Sequence, residues 1–256
     1  MTVLIVQERR DKMNRYRKLA IVVGALFITA DIFGVVGNLA FRKPILDSAD
    51  YLINASAHGN QLILGALFTL IGGLACAGIA IGLYPVLRRH NEGLALGAVG
   101  FRLIEAMLYA LVAAVVLSVL TLSQEYVKTG APGASSFQAS GASLLAVGDW
   151  AGQLSVIAFT LGALMYYYVF SQSNLIPRWL SVWGLVAAAS SLAAALLSIF
   201  GLIAPLAPVF LIMQAPIAFQ EIVLAVWLIA RGFNTNAVAS RSPKTGLEET
   251  EWALSR

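Results

Sequence analysis

Four ionisable residues lie deep inside long apolar stretches of the sequence: Asp31, Arg102, Glu105 and Glu221. Arg102 and Glu105 are three positions apart, so a helix would place both side chains on one face. Three carboxyls against one guanidinium leave an excess of acid, and full ionisation would leave two negative charges uncompensated in an apolar interior. We therefore expect at least one carboxyl, with Asp31 and Glu221 the best candidates, to hold a proton, or the group to bind a cation.

The elements that must position these residues are membrane spans. Hydrophobic residues make up 59% of the 256-residue chain and charged residues only 12%, against roughly a quarter charged in a soluble domain. A span needs about 20 mostly apolar residues. We predict an all-α polytopic membrane protein, a bundle of six transmembrane helices with spans at about 19–39, 61–87, 94–122, 149–170, 179–203 and 209–230.

The polar segments complete the predicted organisation. Residues 1–18 form a basic N-terminal segment, and residues 231–256 form a polar tail that we expect to be disordered. Residues 123–148 are rich in Gly, Ser and Ala and are interpreted as a loop. Between the first two spans, Asp47 is placed to cap a short surface helix with Tyr51 on its apolar face.

The positive charges predict the orientation of the bundle. With the N-terminus inside, thirteen Lys and Arg residues fall in cytoplasmic segments and only Arg42, Lys43 and Lys128 fall outside. The positive-inside rule therefore places both termini in the cytoplasm, and an even number of spans agrees with it. The cytoplasmic charges are Arg9, Arg10, Lys12, Arg15, Arg17, Lys18, Arg88, Arg89, Arg178, Arg231, Arg241, Lys244 and Arg256.

The depths of the four buried charges are similar. At about 1.5 Å of rise per helical residue, they lie roughly 12 to 18 Å from the cytoplasmic ends of their spans. This predicts one polar cluster that joins the first, third and sixth spans, with Arg102 at its centre and Glu105, Glu221 or both as its partners. Gln153, Gln214 and Gln220 are placed to complete the hydrogen bonding.

Two interpretations of this cluster stay open. A buried ion pair can simply fix the register and orientation of helices, and this interpretation is favoured. A proton-linked or solute-linked role is the alternative, because charges within spans often mark function. Catalysis is less favoured still, since no nucleophile–base set is visible, and we expect no enzyme and no catalytic residues.

The remaining polar candidates lie near the membrane surface. His58, Asn60 and Asp149 are predicted at the outer face, with Asp149 opening the fourth span as a helix cap. His58 and His90 lie at opposite faces, so the two cannot share one haem or metal ion. A site built from His58 and nearby aspartates has irregular spacing, and we predict no metal and no cofactor. Tyr166, Tyr167 and Tyr168 are interpreted as an interfacial aromatic belt.

Several short stretches, taken in order, resemble a known family. They are Leu-Tyr-Pro at 83–85 with Arg88, Asn91 and Glu92, then Phe-Arg-Leu-Ile-Glu-Ala at 101–106, Ile-Pro-Arg-Trp-Leu at 176–180 with Gly184, and Glu221 with Trp-Leu-Ile at 227–229 and Gly232. Over residues 20–233 the chain looks like the bacterial family catalogued as domain of unknown function 4386. The resemblance implies a six-helix inner-membrane protein and no particular activity. The chain departs from the family at His58 and Asn60, where related chains place a basic residue.

These observations favour an integral membrane protein with a structural, accessory or sensory role. The alternative is a small-solute or proton-linked transporter, and a membrane-embedded enzyme acting on lipid is less favoured. The expected partners are the bilayer and its anionic headgroups, which the basic N-terminal segment would contact. Nucleic acid is not expected, because the basic residues concentrate beside the spans. A homo-oligomer or a partner membrane protein stays open.

Overall fold

The computed structural model describes residues 2–130, 134–205, 207–234 and 237, with side chains from Met13 onward. Every regular element in these residues is helical, which confirms the predicted all-α class. Within this described part of the chain, six helices are long and apolar enough to cross a membrane, as predicted. The helices are α1 (Thr2–Val36), a π-helical stretch (Gly37–Arg42), α2 (Lys43–Leu46), α3 (Tyr51–Ala57), α4 (Gly59–Leu87), α5 (Glu92–Lys128), α6 (Ala134–Ser173), α7 (Arg178–Ile199) and α8 (Pro208–Ala230).

The six long helices form a closed ring in chain order. Each of α1, α4, α5, α6 and α7 packs on the next long helix, and α8 returns to pack on α1. Arg17 of α1 seals this closure: its guanidinium donates hydrogen bonds to the carbonyl oxygens of Leu228 (3.0 Å) and Ile229 (2.6 Å). A cation at the end of α8 also compensates the negative end of the helix dipole.

Adjacent glycines let α4 lie close to two neighbours at once. A Cβ atom on Gly72 would lie 3.3 Å from the backbone nitrogen of Gly34 in α1. A Cβ atom on Gly73 would lie 2.8 Å from the Cβ atom of Tyr109 in α5. Small residues allow such close approach in membrane bundles, where packing rather than the hydrophobic effect holds helices together.

Two apolar cores lie along the ring. The termini-side core lies towards the face where α1 and α8 meet through Arg17, and all six long helices contribute buried residues to it, among them Phe27, Leu83, Ala98, Phe170, Leu180 and Leu224. The α3-side core lies towards the opposite face, and its buried residues come from α2 to α5, among them Ile45, Ala55, Leu62, Val119 and Leu120.

The segment interpreted as a loop at 123–148 is largely helical. The helix α5 continues to Lys128 and α6 begins at Ala134. Residues 134–148 contain no proline, and their alanines and leucines favour helix where tertiary contacts support it. At about 1.5 Å per residue both helices run roughly 55–60 Å, well beyond a hydrocarbon core of about 30 Å. The short helix α3 covers them, and the Tyr51 hydroxyl donates to the carbonyl oxygen of Gln138.

Asp149 therefore does not open a helix. It lies within α6, its side chain is 69% exposed, and one carboxylate oxygen lies 3.7 Å from Arg42 Nη2. The predicted cap is wrong because α6 starts fifteen residues earlier, at Ala134. The predicted surface helix exists as α3, but Asp47 ends α2 instead of capping α3. Most of the predicted polar tail at 231–256 lies outside the described residues.

Candidate functional site

Arg102 of α5 lies in the interior of the ring and is only 2% exposed. Its Nη1 atom donates to Glu105 Oε2 at 2.9 Å, one helical turn further along α5. Its Nη2 atom lies 3.4 Å from Glu221 Oε1 on α8. Both carboxylates are themselves buried, at 2% and 8% exposure. The guanidinium therefore joins two helices that are not neighbours in the ring. Arg102, Glu105, Glu221, Asp31 and Tyr166 are called the Arg102 cluster below.

Tyr166 brings α6 into this cluster. Its hydroxyl donates to Glu221 Oε1 at 3.3 Å and lies 3.5 Å from Arg102 Nη2. The guanidinium also lies over two rings of α6, 4.8 Å from the centroid of Phe159 and 5.7 Å from that of Tyr166. Aromatic faces stabilise a desolvated cation in this arrangement. Three helices thus supply the contacts of a single arginine.

The interpretation of Tyr166 and Tyr167 as an interfacial belt is wrong. Both side chains are fully buried, and only Tyr168 is half exposed. Successive residues on a helix point about 100° apart, so three in a row cannot all face lipid. Tyr167 instead donates a hydrogen bond to the Oε1 atom of Gln220. The Gln220 amide donates in turn to the carbonyl oxygen of Leu180 at 3.2 Å, which extends the polar contacts to α7.

Asp31 of α1 approaches the cluster without bonding to it. Its carboxylate is close enough to interact electrostatically with Arg102 and Glu221. Its Oδ2 atom is buried and has no hydrogen-bond partner among the described residues, and the same holds for Arg102 Nε. The buried thiol of Cys76 on α4 lies near Glu105. The cluster therefore carries three carboxyls against one guanidinium and keeps two polar atoms unpaired.

The cluster lies between the two apolar cores. Along α5, Ala95 and Ala98 belong to the termini-side core, Arg102 and Glu105 follow, and Ala113 begins the contribution to the α3-side core. Apolar packing on both sides lowers the local dielectric constant, which strengthens each electrostatic contact within the cluster. The described residues contain no group of three or more His, Cys, Asp or Glu side chains placed to hold a metal ion. The arrangement of one guanidinium and three carboxyls can join helices or hold protons.

The other predicted polar residues do not gather around Arg102. Gln153 accepts a hydrogen bond from Ser198 Oγ at 3.2 Å, which links α6 to α7. Gln214 is half buried, and no hydrogen bond of its side chain occurs within the described part of the chain. His58 is exposed between α3 and α4, with Nδ1 3.0 Å from the Asn54 carbonyl oxygen, and Asn60 is exposed beside it. Of the predicted supporting residues, only Gln220 reaches the polar contacts of the interior.

A family model identifies the chain. The model described as domain of unknown function (DUF4386) matches residues 22–232. The chain belongs to this family. The matched DUF4386 region contains all six candidate spans in whole or in large part and every residue of the Arg102 cluster. Comparison with curated proteins and with solved structures finds no match.

Proposed function

We propose that this DUF4386 protein is an accessory or sensory membrane component whose helix ring is locked by the Arg102 cluster. The observation that carries the proposal is the position of the guanidinium, which crosses the interior from α5 and contacts groups on α6 and α8. Its positive charge is compensated within the cluster, so the contacts can form without water. A solute would have to displace these contacts to pass between the helices.

The neighbourhood of the cluster supports this proposal. All six long helices close the apolar core on the termini side of Arg102. A cavity of about 320 Å³ lies at the termini-side face and none of the cluster residues lines it. Interhelical polar contacts in membranes contribute roughly 0.6 kcal/mol on average and up to about 1.7 kcal/mol. Arg102 makes two of them, with Tyr166 and Glu221, which is enough to favour one helix arrangement over another.

The experiment compares Glu221→Gln with Glu125→Gln in purified protein. Glu221 contacts Arg102 and Tyr166, whereas Glu125 is exposed and pairs only with Lys128. A locking role predicts that Glu221→Gln lowers the thermal unfolding midpoint by several degrees, with no change for Glu125→Gln. Equal midpoints for both variants and the unmodified protein would contradict the locking role.

A second candidate, a proton-linked carrier, is favoured by one specific observation. The buried Oδ2 atom of Asp31 has no partner in the described residues, although its charge lies near Arg102 and Glu221. A carboxyl that bonds to nothing contributes little to locking but is free to take up and release a proton. The half-buried Gln153 and Gln214, on the α3 side of the cluster, would line the path of such a proton.

Asp31→Asn separates the two candidates. If the cluster only locks helices, Asp31→Asn matches the unmodified protein in its thermal unfolding midpoint. The two proteins then also give the same proton movement across the membrane. If the protein carries protons, Asp31→Asn abolishes pH changes inside proteoliposomes that contain a pH-sensitive dye. Empty liposomes and Glu125→Gln serve as controls.

The proposal includes a position in a bacterial inner membrane with both termini in the cytoplasm. The Arg17 contacts place the start of the first span and the end of α8 at one face. The thirteen-to-three distribution of Lys and Arg supports that face as the cytoplasmic one. Fusion of a reporter that fluoresces only in the cytoplasm to each terminus in turn tests this, and absence of fluorescence from either fusion contradicts it.

A further inference from the structure

The cavity of about 320 Å³ opens where the turn between α6 and α7 meets the end of α8. Its volume lies within the usual range of ligand pockets, roughly 300–1,000 Å³. Arg178, the first residue of α7, and Arg231, which follows α8, both line it. None of the described residues that line it is acidic. The cavity is therefore an electropositive pocket, which we call the arginine pocket.

Hydrogen bonds hold the walls of this pocket in place. Asn174 adopts a left-handed conformation (φ 52°) that turns the chain sharply between α6 and α7. Asn234 then fastens the chain after α8 to this turn, because its backbone nitrogen donates to the Leu175 carbonyl at 2.9 Å and its amide donates to the Asn174 carbonyl at 3.3 Å. Phe233 is 7% exposed and packs on Phe170. A pocket built this way is preformed, which lowers the cost of binding.

The two arginines of the pocket have no partner within the described residues. Both are exposed, and neither side chain makes a hydrogen bond or an ion pair there. Three other arginines near this face are engaged: Arg17 caps α8, Arg88 lies over Tyr84 and Arg89 lies over Tyr16, whereas the exposed Arg15 does not line the cavity. Two uncompensated guanidinium groups beside one cavity are the arrangement that binds a phosphate group, through fork-shaped pairs of hydrogen bonds.

The local helix ends add to the attraction for an anion. The helix α7 begins after Pro177 and no side chain caps it, so N–H groups of its first turn stay available beside the cavity. Helix N-termini attract anions through these groups and the helix dipole. The opposing negative end of α8 is already compensated by Arg17. The backbone and the arginines therefore favour the same kind of ligand.

The pocket lies at the level of lipid headgroups. Trp179 and Tyr168 flank the α6–α7 turn and are 55% and 50% exposed. Exposed Trp and Tyr residues mark the membrane–water interface in spanning proteins, and basic pockets between spans bind anionic headgroups. We propose that the arginine pocket binds a phosphate group, supplied either by an anionic phospholipid or by a soluble phosphate.

The test titrates ligands into the full-length protein held in maltoside micelles without added phospholipid and follows the thermal unfolding midpoint. The probes are phosphatidylglycerol in one arm and inorganic phosphate in the other. The pocket variant is Arg178→Gln/Arg231→Gln. The matched control is Arg15→Gln/Lys18→Gln, which removes the same charge from exposed positions of α1 that do not line the pocket. Native mass spectrometry of bound lipid gives a measurement that does not depend on stability.

The proposal expects phosphatidylglycerol to raise the midpoint of the unmodified protein and the control. The pocket variant binds about thirtyfold more weakly, at roughly fivefold per arginine near an anionic surface. The single variant Arg178→Gln should show the fivefold step if the double variant folds poorly. If inorganic phosphate raises the midpoint, and this shift also depends on Arg178 and Arg231, the result supports the site and indicates that soluble phosphate supplies the ligand. Equal weakening in the pocket variant and the control, or no shift with either probe, overturns the proposal.

Discussion

The two halves of the ring are held together differently. On the termini side, all six long helices share one core, and Arg17 donates three hydrogen bonds to the last carbonyls of α8, at Leu228, Ile229 and Ala230. On the α3 side, the buried core residues come from α2 to α5, and α6 adds only half-buried leucines. On that side, an ion pair between the half-buried Arg42 and the exposed Asp149 joins the segment after α1 to α6.

This difference indicates that stability is unevenly distributed along the membrane normal. Regions with fewer buried apolar contacts open locally at lower free energy than the rest of a protein. We therefore expect the α3-side half to open first and the termini-side half to persist until global unfolding. The Arg102 cluster lies at the boundary, so changes there should affect both halves together.

Arg102→Met should have the largest effect of any single substitution considered. It leaves Glu105 and Glu221 buried without their cation, which in comparable cases costs about 3–5 kcal/mol. The measurement is the free energy of unfolding from denaturant titration in mixed micelles. Arg15→Met, at an exposed position of α1, is the control and should change little. If Arg102→Met lowers the free energy of unfolding by less than about 1 kcal/mol, the cluster does not join the two halves.

A comparison of Gly184→Ala with Gly141→Ala tests whether side chains are packed more tightly in the termini-side half than in the α3-side half. The new methyl at Gly184 would overlap the ring of Tyr167, which is fully buried and bonded to Gln220. The methyl at Gly141 would overlap only the hydroxyl end of Tyr51, a half-buried side chain that can move. Overpacking at Gly184 should cost about 1–3 kcal/mol.

The cost at Gly141 should be clearly smaller, as measured by the shift in thermal unfolding midpoint. Gly152→Ala is the control for both glycine variants, since nothing lies within 4 Å of a Cβ atom there. Removal of a helical glycine at that site should be neutral or stabilising by up to about 1 kcal/mol. Equal losses at Gly184 and Gly141 would show that the two halves are packed alike.

Arg17→Gln should weaken the termini-side closure. It removes a cation and its hydrogen bonds from the end of α8, for a loss of about 1–2 kcal/mol. Hydrogen exchange of the last turn of α8 and the thermal unfolding midpoint report it. Lys18→Gln, one position along α1 and exposed, should leave both unchanged. The same loss of stability from both variants would mean that it comes from removing a positive charge near the membrane, and not from removing the cap of α8.

Arg42→Gln should have the smallest effect. The pair with Asp149 is 3.7 Å long and its side chains are 24% and 69% exposed, so we expect a loss of no more than about 0.5 kcal/mol. The comparison with Arg17→Gln under identical conditions directly measures the difference in stability between the termini-side half and the α3-side half. A loss above about 1 kcal/mol would place a strong contact on the α3 side and remove the contrast.

The sequence predicts the depth of a residue along a span, because depth depends only on the helical rise per residue. Arg102 and Glu221 could be matched in depth before any contact was known, because each helical residue advances by about 1.5 Å. Their helices do not neighbour each other, yet the structure brings the side chains together. The sequence does not predict which side of α6 faces the interior of the ring. Apolar residues occur on all sides of this helix, and they are equally compatible with the core and with lipid. The sequence therefore does not distinguish a buried Tyr166 from one at the membrane surface.

Features formed by long-range backbone contacts are equally hidden in the sequence. The arginine pocket depends on Asn234 binding the turn at Asn174, sixty residues away along the chain. The ends of α5 and α6 also make long-range contacts, because α3 packs on α5 and the Tyr51 hydroxyl donates to the Gln138 carbonyl of α6. Composition suggested a loop at 123–148, because glycine and serine favour loops unless neighbouring elements support a helix.

The ring closure through Arg17 has a consequence for biosynthesis. The arginine emerges from the ribosome about 211 residues before the carbonyl it binds. At roughly 5–20 residues per second this is a wait of about 10–40 seconds. During that time α8 is incomplete, so the ring cannot close. Arg102 meets the bilayer before Glu221 has been made, but Glu105 arrives one helical turn later on the same helix and accompanies it. The nascent chain thus carries its own counter-ion into the lipid, and translation of α8 completes the ring.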